Sequence, residues 1–210
     1  MGRLYGSRSY QVGAMDRVPD GGVAWRDNLK PFLNSLGIWV FNPCDKPLRD
    51  IDADVLAYET PEARASRAAA KQGGDLRRVA REMKLVRATD LRMVDITDFI
   101  VVNIDINVHA TGTYEEITTA NRQRKPILVH VEGGVQNTPD WLIAMLGEKA
   151  VDDFTFNSWE ELKTYLVTID KVDPQGMSRL NLHHRWVFFD LERLEKEAEE
   201  GYRAANHVTS

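Results

Sequence analysis

The chain has 210 residues, a formal net charge of −5 at pH 7 and an apolar fraction of 43%. That length suits one domain, or one domain with an appendage, and the apolar fraction is enough for a core. The mild acidity argues against binding nucleic-acid polymers, and apolar runs such as Phe99–Ile104 are far too short to cross a bilayer.

A single cysteine, Cys44, excludes an internal disulfide, and no basic-then-apolar segment opens the sequence. Both features lead to the expectation of a reducing, cytoplasmic setting. The five histidines show no metal-ligand spacing, and the adjacent His183 and His184 suit a solvated turn.

In chain order, residues 9–15 (SYQVGAM) form a short β-prone run ended by Gly13. Residues 22–37 place Trp25, Leu29, Phe32, Leu33 and Leu36 at helical spacing, with Gly37 as the stop. Pro31 within that run implies a kink or a late start. Residues 38–43 (IWVFNP) read as a strand closed by Asn42 and Pro43.

The pattern then turns polar over 44–75, with an Ala-rich helical piece near 61–72 and a break at Gly73-Gly74. This is expected to be an inserted lobe or a mobile flap. Residues 75–97 read as a helix with an interruption near Thr89, and 98–105 (DFIVVNID) as a strand buried on both faces. A helix over 112–124 and a strand over 126–131 (PILVHV) follow. Next come a short helix over 138–147, a strand over 152–158, a helix over 159–170 and a loop over 171–182. Residues 185–210 form a charged helix after an apolar start, and Trp186–Phe189 suit either a subunit interface or the end of the chain's own core.

This alternation implies an α/β fold with a parallel sheet covered by helices. The expected architecture is a doubly wound, five-stranded sheet of the flavodoxin-like or Rossmann-like kind. It carries a helical insertion at 44–75 within a domain over 1–176, and a C-terminal helical extension over 177–210.

In such a sheet, ligands bind beyond the carboxyl ends of the strands. The stretch from Asp105 to Glu116 lies there, following the strand over 98–105. Thr113 and Glu116 have capping-box spacing, which is a structural reading of the glutamate. A helix N-terminus also favours an ionised carboxylate, as a nucleophile at a sugar carbon requires, so the two readings coexist. Glu115 reads as the solvated neighbour. Tyr10 is either core or site. Gly13 lets the chain turn and a ligand approach, and Asp16 and Arg17 make a polar loop with Gly21-Gly22. Among Asp90, Asp95 and Asp98, the last is the poorest candidate because it opens its strand at the wrong end.

Taken together, YQVGAM, GVAWRDNL, LGIWVFNP, TDLRMVDITDFIVVNID and GTYEEITTANRQRKPILV resemble the nucleoside 2-deoxyribosyltransferase family, over roughly residues 9–131. They also resemble its hydrolytic relatives, the nucleoside monophosphate N-glycosidases. A phage-borne branch is especially similar, including the NTPDWL segment. The resemblance implies Glu116 as nucleophile, Asp90 as the acid handling the leaving base, and Tyr10 as the residue positioning the nucleophile. The loops at the crevice add Gly13, Met15, Asp16, Arg17, Asp105, His109, Gly112 and Thr113 as candidate substrate contacts, and Asn137 lies in a loop from which a neighbouring copy would contribute an amide.

One departure stands out. The family's deoxynucleoside enzymes carry an acidic residue six positions before the nucleophile, where this chain has Ala110. Asp105 or His109 would have to compensate. The implied activity is transfer of a 2-deoxyribosyl group between nucleobases through a glycosyl-glutamate intermediate. The alternatives are hydrolysis of nucleoside 5′-monophosphates and non-catalytic nucleotide sensing. The expected partners are a nucleoside or nucleotide, a free nucleobase and further copies of the chain. No metal or organic cofactor is expected.

Overall fold

An apolar run without alternation is buried on both faces only inside a covered sheet. That is where Phe99–Ile104 lies in the computed structural model, which describes residues 2–47, 53–172 and 185–207. The strands are β1 (Arg8–Gly13), β2 (Trp39–Phe41), β3 (Phe99–Ile104), β4 (Ile127–Val131) and β5 (Thr155–Phe156). All neighbours pair parallel, in the order β2-β1-β3-β4-β5. The fold is therefore the expected α/β sheet, with the strand order reversing between β1 and β3.

The helices are α1 (Val23–Ser35), α2 (Ala53–Ala57), α3 (Pro61–Gln72), α4 (Leu76–Ile96), α5 (Thr111–Arg122), α6 (Asp140–Leu146), α7 (Glu148–Phe154), α8 (Trp159–Lys171) and α9 (Leu191–His207). Residue parity along the strands divides them between the two faces. Tyr10 projects toward α5, where its hydroxyl meets Glu116. Gly13 and His130 face the other side, where Trp25 of α1 and Trp159 of α8 stack at 5.2 Å. Leu29 and Leu33 of α1, Met93 of α4, Ile117 of α5 and Leu162 of α8 bury their faces in one core.

Several sequence expectations are corrected. Helix α4 runs without interruption through Thr89. Helix α1 starts at Val23, before Pro31, so the late start does not occur. The strand expected over 152–158 pairs only at Thr155 and Phe156. The residues before it belong to α7, because Ala150 and Phe154, four apart, are both buried at helical spacing.

The apolar start of the last segment divides. Trp186 is 3% exposed in the core, and its indole N–H donates to the Tyr165 hydroxyl at 2.8 Å, whereas Val187 and Phe189 are exposed. Most of the 171–182 loop and the His183-His184 pair lie outside the described residues.

Candidate active site

The chain leaves β1 into residues 14–22 and β3 into residues 105–110, on either side of the point where the strand order reverses. In a doubly wound sheet the ligand crevice opens there. On the α4/α5 face, the Tyr10 hydroxyl donates to Glu116 Oε1 at 2.7 Å. Tyr10 itself is 1% exposed. Asp90 projects from α4 close enough for its charge to act on both Glu116 and Tyr10.

Behind Asp90 stands Lys46, whose side chain is fully buried. Its Nζ donates to Asp90 Oδ1 and sits 2.8 Å from Glu59 Oε2. Arg26, 0% exposed, donates to the carbonyls of Gln11, Gly13 and Gly22 and lies over the Trp25 ring at 4.6 Å.

The electrostatics separate the two carboxyls. Burial, reinforced by the Asp90 charge, pushes Glu116 up to about 8, against the opposing pull of the Tyr10 hydroxyl, Arg26 and Lys46. Burial also pushes Asp90 up to about 6, with Lys46 the strongest influence holding it down. Burial, Glu116 and Asp90 all raise the Tyr10 phenol, so it remains a neutral donor. Because the carboxyls interact, the two values belong to the pair, with Glu116 holding its proton more tightly than Asp90.

The capping-box reading of Thr113 and Glu116 does not hold. Helix α5 starts at Thr111, its N-cap is Ala110, and no side chain caps it. Thr113 is buried inside the helix, and Glu116 stands in the second turn, bonded to Tyr10. The field of the helix terminus fades within the first turn, so it does not keep this carboxyl ionised. Glu115 points elsewhere, to an ion pair with Arg87 on the surface.

The structure brings Tyr10, Asp90 and Glu116 into one electrostatic cluster and spreads the remaining residues around it. Gly13 does not have a left-handed backbone. Instead, an added Cβ there would stand 3.1 Å from Trp25 and 3.3 Å from the Asn103 carbonyl, so close packing is what the glycine serves. The left-handed turn is made by Gly21 and Gly22, at φ 66° and 73°.

Met15 is half-buried, and its carbonyl accepts from Arg64 at 3.3 Å. Asp16 is exposed, 4.0 Å from Arg67, and Arg17 is exposed. Asp105 turns back on the amides of Asn107, and exposed His109 meets Thr111 at 3.1 Å. Gly112 has open space around it. Asn137 bonds the Glu132 carbonyl at 3.3 Å, after β4. Asp98 pairs with Arg8 at the opposite end of the sheet.

Lys46, Glu59 and Arg26 were not reached by sequence reasoning. Arg26 left a signal, since it shares the buried stripe of α1 with Leu29 and Leu33. Lys46 left none, because its partner Asp90 is 44 positions away. Among the described residues, no group of three or more His, Cys, Asp or Glu is placed to hold a metal ion. Two surface hollows lie away from the cluster, one lined by Asp152, Asn157 and Tyr165 and the other by Arg3, Trp39 and Phe189. The Tyr10–Glu116 hydrogen bond, the fully buried Lys46 on Asp90 and their place at the sheet edge are what single out this site.

No protein-family profile matches the chain, and neither does any curated protein. Two solved structures are similar in fold. A 2-deoxyribosyltransferase from Bacillus psychrosaccharolyticus is 16% identical, with a TM-score of 0.49, covering 79% of this chain and 97% of its own. A CMP N-glycosidase from Clostridium botulinum is 13% identical, with a TM-score of 0.39, covering 77% of this chain and 99% of its own. The functional reading rests on the site's own groups and not on these likenesses.

Proposed function

We propose that the protein cleaves the N-glycosidic bond of a (deoxy)nucleoside and transfers the 2-deoxyribosyl group to another nucleobase, with Glu116 as nucleophile. The observation that carries this reading is the Tyr10–Glu116 hydrogen bond at 2.7 Å beside Asp90, at the sheet edge. Two carboxyl groups, one acting as acid and one as nucleophile, are what retaining glycosyl transfer uses. The motif resemblance over residues 9–131 assigns the same residues to those roles.

In the first half-reaction, a ring nitrogen of the base takes a proton from Asp90, and the bond from C1′ to the base breaks with its electrons going to the base. A Glu116 oxygen forms the new bond to C1′ on the opposite face. In the second, a nitrogen of the incoming base attacks C1′, Glu116 leaves as carboxylate, and the proton returns to Asp90.

Burial gives Glu116 the higher proton affinity of the two carboxyls, so a proton they share rests on Glu116. For attack, that proton must stand beside the base and leave Glu116 ionised. The Tyr10 hydroxyl stabilises the ionised form, since it pulls the Glu116 carboxyl down.

The test is incubation with a deoxynucleoside and a second free base, following the exchanged nucleoside chromatographically. Exchange that Glu116→Ala abolishes supports the reading. Undiminished exchange in that variant removes Glu116 from the mechanism.

A second reading is hydrolysis of a nucleoside 5′-monophosphate, with water as acceptor. The observation favouring it is that Arg64 and Arg67 reach the loop after β1, at Met15 and Asp16, where Arg17 is exposed. Base release from a deoxynucleotide alone, with no exchange from a deoxynucleoside, distinguishes it.

The expected division at residue 176 lies outside the described residues, and self-association belongs to the same proposal. The exposure of Trp141 (80%), Val187 (72%) and Phe189 (73%) supports association of copies. Sedimentation velocity showing only monomer would overturn that part.

A further inference from the structure

We propose that Lys46 is a positioning residue that holds Asp90 in place and ties the protonation of the carboxylate pair to the lobe carrying Glu59. This deepens the function proposed above, although its first readout needs no turnover.

A lysine ammonium is seldom fully buried, because losing its hydration is costly unless carboxylates replace the water. Lys46 meets that condition twice, at Asp90 and at Glu59, while its own side chain is 0% exposed. Its backbone is also in the left-handed region, at φ 41°, where a side chain is disfavoured. The turn is fixed by Asn42, whose carbonyl accepts the Lys46 amide at 2.9 Å, directly after β2. The side chain is therefore launched from a strained, pinned backbone into the gap between two acids. For Lys46 itself, the acids outweigh desolvation and raise its proton affinity, so it stays charged.

The groups acting on Asp90 come from several elements: Lys46 after β2, Glu59 from the lobe, Arg26 from α1, Glu116 from α5 and Tyr10 from β1. Their signs differ. Lys46 favours the Asp90 carboxylate and Glu59 disfavours it.

Glu59 is itself anchored to the crevice. Its carbonyl accepts from Arg64 at 2.7 Å, and the same guanidinium donates to the Met15 carbonyl at 3.3 Å. The segment over 53–72 thus touches the carboxylate pair through Glu59 and Lys46, and the loop after β1 through Arg64. Its placement and the protonation of Asp90 are linked by one cation.

A general structural role for Lys46 would predict loss of amplitude without direction. The positioning role predicts opposite shifts. The experiment is a carboxyl ¹³C NMR titration of Asp90, assigned with Asp90→Asn, in wild type, Lys46→Met, Lys46→Arg and Glu59→Gln. Lys46→Met should move the Asp90 midpoint to higher pH by roughly one unit or more, the size of an opposite charge at contact. Glu59→Gln should move it to lower pH, and Lys46→Arg should return it toward wild type. The same shifts should appear in the pH profile of kcat/KM for base release.

Unmoved midpoints, or shifts of one sign in both variants, overturn the proposal. If Lys46→Met does not fold, Glu59→Gln decides alone, and an unmoved midpoint there overturns it equally. Turnover surviving in Glu116→Gln would sink the proposed function and leave the Lys46 assignment standing.

Discussion

Replacing Glu116 by Gln keeps the shape of the side chain and an acceptor for the Tyr10 hydroxyl, but removes the titrating proton. The folded protein raises this carboxyl from 4.5 to about 8, chiefly by burial and then by the Asp90 charge. At roughly 1.4 kcal/mol per pH unit, ionising it in place costs a few kcal/mol, shared with Asp90 because the two carboxyls titrate as a pair.

The sign follows from the direction of the shift. A carboxyl whose proton affinity is raised by folding favours the folded state below about pH 4.5. That contribution is lost as pH climbs through about 8. Wild type should therefore weaken across this window more than Glu116→Gln, which keeps only the part that Asp90 loses as pH climbs to about 6. Urea unfolding at about pH 5, 7 and 9 gives the difference. It should be small at the lowest pH and reach several kcal/mol in favour of Gln at the highest, with turnover lost throughout. A difference that stays flat with pH would refute the claim that Glu116 is held in a desolvated, negatively biased site.

Other consequences can be checked in parallel. Tyr10→Phe removes a donor to a charged acceptor, an interaction of about 1.5–3 kcal/mol, so kcat/KM should fall roughly 10- to 100-fold. The Glu116 titration should also move to higher pH in that variant. Asp90→Asn should slow base departure by about 10²–10⁴, measured by single-turnover release. Gly13→Ala should cost about 1–3 kcal/mol in urea unfolding, because the new methyl crowds Trp25 and the Asn103 carbonyl. Trp186→Ala should cost about 3–5 kcal/mol, since it empties a core position between Phe99 and Tyr165.

The sequence made the central strands legible because buried parallel strands leave continuous apolar runs, as at Phe99–Ile104 and Ile127–Val131. Helices α1, α4, α5 and α8 showed through their apolar periodicity. The five-residue α2 did not, being too short to establish a period, and α7 was hidden because its last residues, Asp152–Phe154, read as the start of a strand. Tyr10, Asp90 and Glu116 were legible through motif order. Their electrostatics were not, because burial and the neighbouring Asp90 charge raise the Glu116 proton affinity, and both come from packing between distant segments. The Lys46–Asp90–Glu59 contacts were invisible because they join segments far apart in the chain.

Intact-protein and peptide mass spectrometry after a brief soak in deoxynucleoside tests the central claim most directly. The account predicts a mass increase of one deoxypentosyl unit, mapped to the peptide carrying Glu116 and discharged by adding a free base. Base release with an unmodified Glu116, or an adduct mapped to another side chain, would contradict it.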